Sequence, residues 1–329
     1  MTVLVTGAAG FIGSNLVHAL LRRGNEVLGL DNFDPYYAPE SKHRNLAAVM
    51  ADPRFELIEA DILDASRLRA LIKRRRPAAI VHLAARVGNR RSLAALDARD
   101  YFPVNAGGTA TLLAACAAAP PGSFVFVSTG NVYDHTAPVP FSEGITPELP
   151  RTPYSQSKKE AETLVLAATA ASGLPATVLR LFTVYGPRQR PDMVHYRFTS
   201  ALLGGKPLTL IGADSDIRDY IHVSDACAAI MACLDRPGSG EIVNAGSGCG
   251  TSLDALLALL SRFCARKPLI HRREAPAGDT SRLLADIAKA KRLLDWQPLT
   301  GLEKGLADFV TWFQSPENPI PYAGAPNEI

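Results

Sequence analysis

The stretch Thr2–Leu16 reads TVLVTGAAGFIGSNL and decides the fold of the chain. An apolar, β-branched run ends at Thr6, glycines follow at positions 7, 10 and 13, and the sequence then becomes helical. A strand, a glycine turn and a helix in that order predict a phosphate-binding turn. Gly7 permits the tight turn, Gly10 lets the backbone approach a pyrophosphate, and Gly13 lets the helix pack closely on the strand. The free N–H groups at the helix N-terminus would receive the phosphates.

A carboxylate at the end of the second predicted strand sharpens this interpretation. Asp31 closes the apolar run Glu26–Leu30, about 20 residues beyond the turn, where a ribose-binding carboxylate belongs. Such a carboxylate accepts hydrogen bonds from ribose hydroxyls and repels a 2′-phosphate. No arginine stands beside it in Asp31-Asn32-Phe33. We therefore predict NAD rather than NADP as the cofactor; the alternative is a glycine turn that only starts a helix, followed by a surface aspartate.

Length, charge and cysteine content limit the class of protein. A chain of 329 residues has room for one large domain, or for a large domain and a smaller one. A formal charge of +3 is too small to indicate a nucleic-acid or membrane partner. Because the first predicted strand begins at residue 2, we expect no signal peptide, and because no apolar stretch is long and uncharged enough, we expect no membrane span. The five cysteines include no CxxC pair, so we expect a cytoplasmic protein with reduced thiols and no metal site.

Strand and helix patterns alternate along the first half of the chain, and the strands are near-continuous apolar runs. This pattern predicts an α/β fold with a doubly wound parallel sheet that is covered on both faces. The predicted strands are Thr2–Thr6, Glu26–Leu30, Phe55–Glu59, Ala79–Leu83, Phe124–Ser128 and Thr177–Leu181. The predicted helices between them are Phe11–Arg23, Ser41–Met50, Ala65–Arg75, Asn105–Ala118 and Ser155–Ala171.

The alternation ends after Leu181. We expect residues 182–329 to form a smaller α/β lobe that binds the substrate, with a segment near 220–248 that returns to the sheet of residues 1–181. Within this part the sequence predicts a helix over Val223–Leu234, a strand over Glu241–Asn244 and a closing helix over Leu302–Gln314.

Polar or small residues follow three of the predicted strands. Ligands of doubly wound sheets bind at the carboxyl ends of the strands. Turn formation would explain any one of these groups, but their joint placement at one edge favours a binding site. The groups are Asp61 and Ile62 after the third strand, His82, Leu83, Ala84 and Ala85 at the end of the fourth, and Ser128 and Thr129 at the end of the fifth.

The segment Tyr154–Lys158, YSQSK, indicates the chemistry. Positions four apart share a helix face, so the Lys158 ammonium should lie near the Tyr154 ring. A free tyrosine has a pKa of about 10 and is a poor base at neutral pH, but a neighbouring cation favours its phenolate. Tyr-x-x-x-Lys is common in amphipathic helices. Following the glycine turn, Asp31 and Ser128-Thr129, it indicates a catalytic tyrosine.

Together these motifs resemble the extended short-chain dehydrogenase/reductase family, in its nucleotide-sugar epimerase and dehydratase branch, over nearly the whole chain. The resemblance implies a Rossmann NAD-binding domain over residues 1–181 and a nucleotide-sugar-binding lobe over residues 182–329. The matching segments are Thr6–Gly13 (TGAAGFIG), Asp31, Asp61-Ile62, His82–Ala85 (HLAA), Asn105 with Gly108-Thr109, Ser128-Thr129, Tyr154–Lys158, Arg180–Met193 and Arg218–Asp225.

The resemblance also implies a mechanism of transient oxidation at C4 of the sugar. Tyr154 would remove the C4 hydroxyl proton while hydride passes to NAD⁺, Thr129 would bond the C4 oxygen, and Lys158 would stabilise the phenolate and hold the nicotinamide ribose. The 4-keto sugar would turn, and hydride would return to its other face. The implied cofactor contacts are Gly7, Gly10, Phe11, Ile12, Gly13, Asp31, Asn32, Asp61, Ile62, Leu83, Ala84, Ala85, Asn105, Tyr154 and Lys158.

Arginines of the second lobe are the natural anchors for the diphosphate, because a guanidinium group matches phosphate oxygens bidentately. By resemblance, Arg218 is the nucleotide-diphosphate arginine and Asp279 the acidic residue on the nucleotide ribose. The expected substrate contacts are Arg90, Thr129, Thr183, Arg190, Arg197, Arg218 and Asp279.

Three segments are similar to UDP-glucuronate 4-epimerases: Phe182-Thr183, Gly186–Met193 and Asp31–Tyr37. The chain departs from that branch at Gly130-Asn131, where hydroxyl residues are usual, and in the Arg86–Arg90 loop and at Asp134. Neither Gly nor Asn can act as a general acid or base, which argues against a 4,6-dehydratase. A UDP-glucose or UDP-N-acetylglucosamine 4-epimerase, a UDP-glucuronate decarboxylase and a non-catalytic nucleotide-sugar sensor remain as alternatives.

Two helical segments, Thr109–Ala119 and Leu164–Ala171, are rich in alanine and leucine. The resemblance implies that these helices pair across a two-fold axis as a four-helix bundle. We therefore expect a homodimer; simple burial in the core is the alternative.

Overall fold

The computed structural model describes residues 1–88, 101–133, 137–145, 150–212, 216–274 and 282–318. The strands in these ranges are β1 (Thr2–Thr6), β2 (Glu26–Asp31), β3 (Phe55–Glu59), β4 (Ala79–His82), β5 (Ser123–Thr129), β6 (Ala176–Leu181), β7 (Thr183–Tyr185), β8 (Pro207–Ile211), β9 (Ile217–His222), β10 (Glu241–Ala245), β11 (Gly250–Ser252), β12 (Leu269–Arg273) and β13 (Arg282–Leu283). The α-helices are α1 (Phe11–Arg22), α2 (Pro39–Ala47), α3 (Ala65–Arg75), α4 (Gly108–Cys116), α5 (Pro153–Ser172), α6 (Val194–Gly204), α7 (Val223–Asp235), α8 (Leu253–Cys264), α9 (Ala288–Leu294) and α10 (Leu302–Gln314).

Seven parallel strands form the central sheet in the order β10-β6-β5-β4-β1-β2-β3. The predicted doubly wound parallel sheet is confirmed. The second predicted helix lies earlier than expected, at Pro39–Ala47, because Pro39 at its first turn favours a helix start. A short π-helical turn, Pro103–Gly107, precedes α4, so the expected helix from Asn105 is regular only from Gly108.

The sheet separates two hydrophobic cores, which explains why its strands are apolar on both faces. Alternate residues of a strand point to opposite faces. In β1, Val3 and Val5 belong to the core that also contains α1 and α7, whereas Leu4 belongs to the core with α3, α4 and α5. None of the helices in the described ranges combines the length with the hydrophobicity that a membrane crossing needs.

The second half of the chain adds smaller sheets at the carboxyl edge of the large one. Strand β9 pairs with β7, β11 and β13, and β8 pairs with β12. Helices α6, α8 and α10 close an aromatic core around Tyr185, Tyr196 and Phe309. Strand β10 returns to the large sheet beside β6.

A buried ion pair fixes α5 to the sheet. Glu162 accepts hydrogen bonds from Arg180 Nε at 2.9 Å, from an Arg180 terminal nitrogen at 2.7 Å and from Ser128 Oγ at 2.7 Å. Both charged side chains are fully buried. Because Arg180 lies on β6 and Ser128 on β5, this carboxylate joins the helix to two strands at once.

Glu162→Gln should destabilise the fold by about 3–5 kcal/mol, because it leaves the Arg180 charge buried and uncompensated. Burial raises the pKa of Glu162, but the hydrogen bonds and charge of Arg180 outweigh it and the pKa is lowered. The carboxylate therefore stabilises the fold above its unfolded-state pKa of about 4.3, and this contribution is lost as the pH falls through the folded-state value. Urea denaturation at several pH values should show that the free energy of unfolding falls less steeply with decreasing pH in the variant than in the parent.

The matched control is Lys159→Gln, which removes the partly exposed partner of the same carboxylate at 3.3 Å. This substitution should lower the free energy of unfolding by at most about 1 kcal/mol. Equal losses in the two variants would contradict the assigned role of the buried pair.

Candidate active site

The turn between β1 and α1 has room only for glycine at two positions. Gly7 adopts a left-handed φ of +72°, and a Cβ there would lie 2.8 Å from the Ala84 nitrogen. A Cβ on Gly13 would lie 2.0 Å from the Gly7 carbonyl oxygen. The helix begins at Gly10, which has no capping side chain, and its first turn carries no acidic residue. Its N–H groups are therefore available to a phosphate.

This turn forms one wall of a cleft of about 380 Å³. Twelve of the expected cofactor contacts line it together: Gly7, Gly10, Phe11, Ile12, Gly13, Asp31, Asn32, Asp61, Ile62, Leu83, Ala84 and Ala85. The three others, Asn105, Tyr154 and Lys158, are not among the lining residues of this cleft.

The Asp31 carboxylate is held by three groups at the end of β2. It accepts hydrogen bonds from the backbone N–H of Ala9 at 3.0 Å and of Phe33 at 2.8 Å. Lys42 Nζ lies 3.7 Å away and is itself buried. The sequence neighbours of Asp31 gave no sign of this cation, because α2 brings Lys42 back to the strand end. Asn32 donates to Asp61 at 2.9 Å and so joins the ends of β2 and β3.

A one-directional chain of hydrogen bonds lies behind the cleft at His82. Thr109 donates its hydroxyl proton to the Asn105 carbonyl at 2.5 Å. Its oxygen lies 3.0 Å from His82 Nε2 and therefore accepts the hydrogen bond of the ring N–H. Nδ1 is then the acceptor for the Thr6 hydroxyl at 2.7 Å, and Thr6 accepts the Ala84 N–H. Burial lowers the pKa of His82 to about 3, so the ring stays neutral and this direction is maintained.

The side chain of Asn105 holds the loop after β4 against α5. Its oxygen accepts the Arg86 N–H at 2.7 Å, and its amide donates to the Arg86 carbonyl and to Ser157 Oγ. Ser157 in turn donates to the Tyr154 carbonyl at 2.8 Å. Asn105 therefore connects the wall of the cleft to the helix that carries Tyr154.

A second cavity, of about 370 Å³, adjoins the cleft and shares Phe11, Ile12, Leu83, Ala85 and Arg190 with it. The structure brings seven of the expected catalytic and substrate-binding residues to this cavity: Thr129, Tyr154, Lys158, Thr183, Arg190, Arg197 and Arg218. Arg90 and Asp279, the two other expected substrate contacts, lie outside the described residues.

The charge of Arg190 acts on Tyr154, an influence that the helical spacing of Tyr154 and Lys158 does not reveal. Burial raises the pKa of Tyr154, whereas the charge of Arg190 and a hydrogen bond with Thr129 lower it. Lys158 Nζ instead donates to the Val127 carbonyl at 2.7 Å, since the end of β5 offers it an acceptor. Burial lowers the pKa of Lys158 to about 7, against the charge of the nearby Glu162.

Arg190 stands where the two cavities meet. Its guanidinium forms a two-pronged ion pair with Asp192, at 2.9 and 3.1 Å, and Tyr36 donates its hydroxyl to the same carboxylate at 3.2 Å. Sequence reasoning missed Tyr36 and Asp192, although both lie in segments that carry the family resemblance. Within the described ranges, no cluster of His, Cys, Asp or Glu side chains could hold a metal ion.

Comparisons with known proteins agree with this geometry. The profile of the NAD-dependent epimerase/dehydratase family matches residues 3–246. A UDP-glucuronate 4-epimerase of Thermodesulfobacterium geofontis (strain OPF15) is 34% identical over 94% of this chain and 95% of its own length. An uncharacterised UDP-glucose epimerase of Bacillus subtilis (strain 168) is 37% identical over 96% of this chain and 98% of its own.

Among solved structures, UDP-glucuronic acid 4-epimerase from Bacillus cereus in complex with UDP-glucuronic acid and NAD is similar to this chain with a TM-score of 0.90. The two chains are 32% identical, and the match covers 95% of this chain and 99% of the other.

Gly13→Ala should weaken dinucleotide binding at least about tenfold, equivalent to 1.4 kcal/mol, because its Cβ would overlap the Gly7 carbonyl and open the turn. Calorimetric titration of the purified protein measures the effect. The control is Gly107→Ala, whose Cβ would meet nothing closer than 3.9 Å and whose φ of −63° suits alanine. It should leave binding unchanged and raise stability by about 0.4–1 kcal/mol. Unaltered binding by the Gly13 variant would overturn the assignment of the cleft.

Proposed function

Because the chain belongs to the NAD-dependent epimerase/dehydratase family, we propose that it is a UDP-glucuronate 4-epimerase that interconverts UDP-glucuronate and UDP-galacturonate with NAD as cofactor. The observation that carries the proposal is the meeting of Thr129 and Tyr154 in one cavity beside the glycine-turn cleft. The relative from Thermodesulfobacterium geofontis bears that name, and the similar Bacillus cereus structure contains UDP-glucuronic acid and NAD.

The residues of the cleft fit a dinucleotide. The glycine turn leaves the space that a pyrophosphate needs at a free helix N-terminus. Asp31, held by two backbone N–H groups, lines the cleft where a ribose would lie. When bound, NAD⁺ supplies a hydride acceptor that can return the hydride to the opposite face of the sugar carbon.

The chain itself supplies the proton chemistry at the C4 hydroxyl. Tyr154, as phenolate, accepts the hydroxyl proton and later returns it. Thr129 donates a hydrogen bond to the same oxygen as its bond order changes. Arg190 lowers the pKa of Tyr154 against the effect of burial, so it favours the base form. Lys158 also lines this cavity, and burial lowers its pKa to about 7.

The charges around the second cavity favour a highly anionic substrate. Of its described lining residues, Lys158, Arg190, Arg197 and Arg218 are basic, and Asp192 is the only acid. The negative charges of a diphosphate neutralise part of this excess of positive charge, and a sugar carboxylate matches the remainder. The charge excess therefore favours the uronate.

UDP-glucose is the second candidate substrate, and the segment after Thr129 favours it. The Phe182 ring lies where a side chain at Gly130 would project, 3.1 Å from a Cβ built there. Gly130 and Asn131 stand at the two positions where hydroxyl residues usually accompany uronate substrates. The Bacillus subtilis relative is named as a UDP-glucose epimerase.

We propose the same division of labour between the two halves of the chain that the sequence suggested. Residues 1–181, with β10, would hold NAD, and residues 182–329 would hold the nucleotide sugar. Three of the cavity's basic side chains, those of Arg190, Arg197 and Arg218, come from the second half, which supports this division.

The test is incubation of the purified protein with UDP-glucuronate, UDP-glucose and UDP-N-acetylglucosamine, with chromatographic separation of the products. We expect UDP-galacturonate from UDP-glucuronate and the highest kcat/KM for that pair. Tyr154→Phe should lose at least about a hundredfold in kcat, because it removes the proton acceptor, while NAD binding stays within twofold of the parent by calorimetry, about 0.4 kcal/mol.

Each other result has a defined meaning. A UDP-pentose with CO₂ would identify a decarboxylase, and epimerisation of UDP-glucose alone would identify the second candidate. NAD binding without turnover of any sugar would indicate a sensor. Full activity in Tyr154→Phe would refute the assigned base.

We also propose that the protein is a homodimer, joined through α4 and α5. The outward residues of α4 include the exposed Ala110 and Ala114, whose small side chains allow close helix approach. Ala114→Glu should shift the protein from dimer to monomer in analytical ultracentrifugation, whereas Ala258→Glu, on the exposed face of α8, should not. A monomeric parent protein would refute the proposal.

We further propose that the protein is located in the cytoplasm. All five cysteines are free, and Cys249 is exposed. An exposed free thiol suits a reducing compartment.

A further inference from the structure

The hydroxyl of Thr129 has its acceptor positions filled by a single residue. The backbone N–H of Asn131 lies 3.2 Å from Thr129 Oγ1, and the side-chain Nδ2 of Asn131 lies 3.1 Å from it. Both groups donate to the same oxygen. A threonine hydroxyl has two acceptor lone pairs and one O–H donor. Its proton is therefore the only hydrogen-bonding capacity that remains.

The local backbone produces this arrangement. Thr129 ends β5 in extended conformation and caps the short 3₁₀ turn Gly130–Val132, which folds the residue two positions ahead back over Oγ1. The turn passes under the Phe182 ring, where Gly130 leaves just enough room. Any residue at 131 except proline could give the backbone bond. The second bond needs a side-chain donor of asparagine's length.

We infer that Asn131 is a positioning residue that forces Thr129 to donate its proton into the cavity, toward the Tyr154 oxygen and the C4 oxygen of a sugar. The inference rests on the proposed 4-epimerase function. Thr129 and Tyr154 line the cavity together with Asn131 itself. Burial raises the pKa of Tyr154, and a hydrogen bond with Thr129 opposes that rise.

The direction of this hydrogen bond matters for both halves of an epimerisation. A donor stabilises the phenolate that accepts the proton and the carbonyl oxygen that forms at C4. A threonine that accepted instead would compete for the proton on that oxygen. Asn131 removes the competing arrangement by filling both acceptor positions of Thr129.

Asn131→Asp tests the inference because it replaces the side-chain donor with an acceptor of the same size. Thr129 would then donate to the carboxylate, and the cavity would lose its donor. We expect kcat to fall about 10- to 100-fold, with KM changed less than threefold, about 0.6 kcal/mol. The apparent pKa of Tyr154 in the NAD-bound enzyme should rise by at least about one unit.

The phenolate titration is followed by ultraviolet difference absorbance. Because the chain has nine tyrosines, each protein is compared with its own Tyr154→Phe counterpart. Asn131→Leu removes the side-chain donor but keeps the backbone bond, so its kcat should lie between those of the parent and Asn131→Asp.

A double-mutant cycle separates this role from the simple effect of a new negative charge. In a Thr129→Val background the hydroxyl is absent, so Asn131→Asp should cause little further loss of kcat. A loss as large as in the parent background would overturn the inference. So would an unchanged Tyr154 titration in the single variant.

The two proposals fail separately. The Tyr154 titration requires no substrate. In a protein that turns over no UDP-sugar, a rise of the Tyr154 pKa in Asn131→Asp that is absent in the Thr129→Val background would refute the proposed function and support the role of Asn131. Normal epimerase activity and an unchanged Tyr154 titration in Asn131→Asp would refute the role of Asn131 and support the proposed function.

Discussion

The position of α5 against the ends of β5 and β6 is the constraint on which the rest of the site depends. Two buried charges are costly to remove from water, and they are tolerated here because Glu162 is fully satisfied by Arg180 and Ser128. Ser128 directly precedes Thr129, and Glu162 lies one helical turn beyond Lys158. A single carboxylate therefore sets the distance between the two elements that carry the reacting hydroxyls.

The same network extends from the helix into the second half of the chain. The Arg180 guanidinium lies 4.6 Å from the Tyr133 ring centroid, and the Tyr133 hydroxyl donates to Asn244 at 2.8 Å. Asn244 belongs to β10, the strand that follows the lobe elements β7–β9 and returns to the sheet. The catalytic helix and the returning strand are thus held by one continuous set of buried polar contacts. Such networks favour one arrangement, because each unsatisfied member would be costly.

Local sequence patterns predicted the strands and helices well, but they predicted contacts between segments distant in sequence poorly. The glycine turn, Asp31 and the Tyr154 helix are visible because strand, turn and helix preferences act over a few residues. Lys42 beside Asp31, and Arg190 as the cation that acts on Tyr154, depend on how α2 and the loop after β7 pack back onto the sheet. Helical spacing placed Lys158 near Tyr154, but it could not reveal the Val127 carbonyl that receives its ammonium group. Asn131 stood out in the sequence only as a departure from a family pattern, since its two bonds to Thr129 require the actual turn.

A 4-epimerase takes hydride from one face of C4 and returns it to the other, so the groups that handle the C4 hydroxyl proton must stay in place while the sugar turns. In the proposed mechanism these tasks fall to different parts of the chain. Tyr154 and Thr129 lie on a helix and a strand end that are fastened by buried contacts. Arg197 and Arg218, the expected diphosphate anchors, lie on α6 and β9 and line the same cavity. A nucleotide held by these residues of the second half of the chain would leave its sugar free to rotate before Tyr154 and Thr129, which is the geometric requirement of inversion at C4.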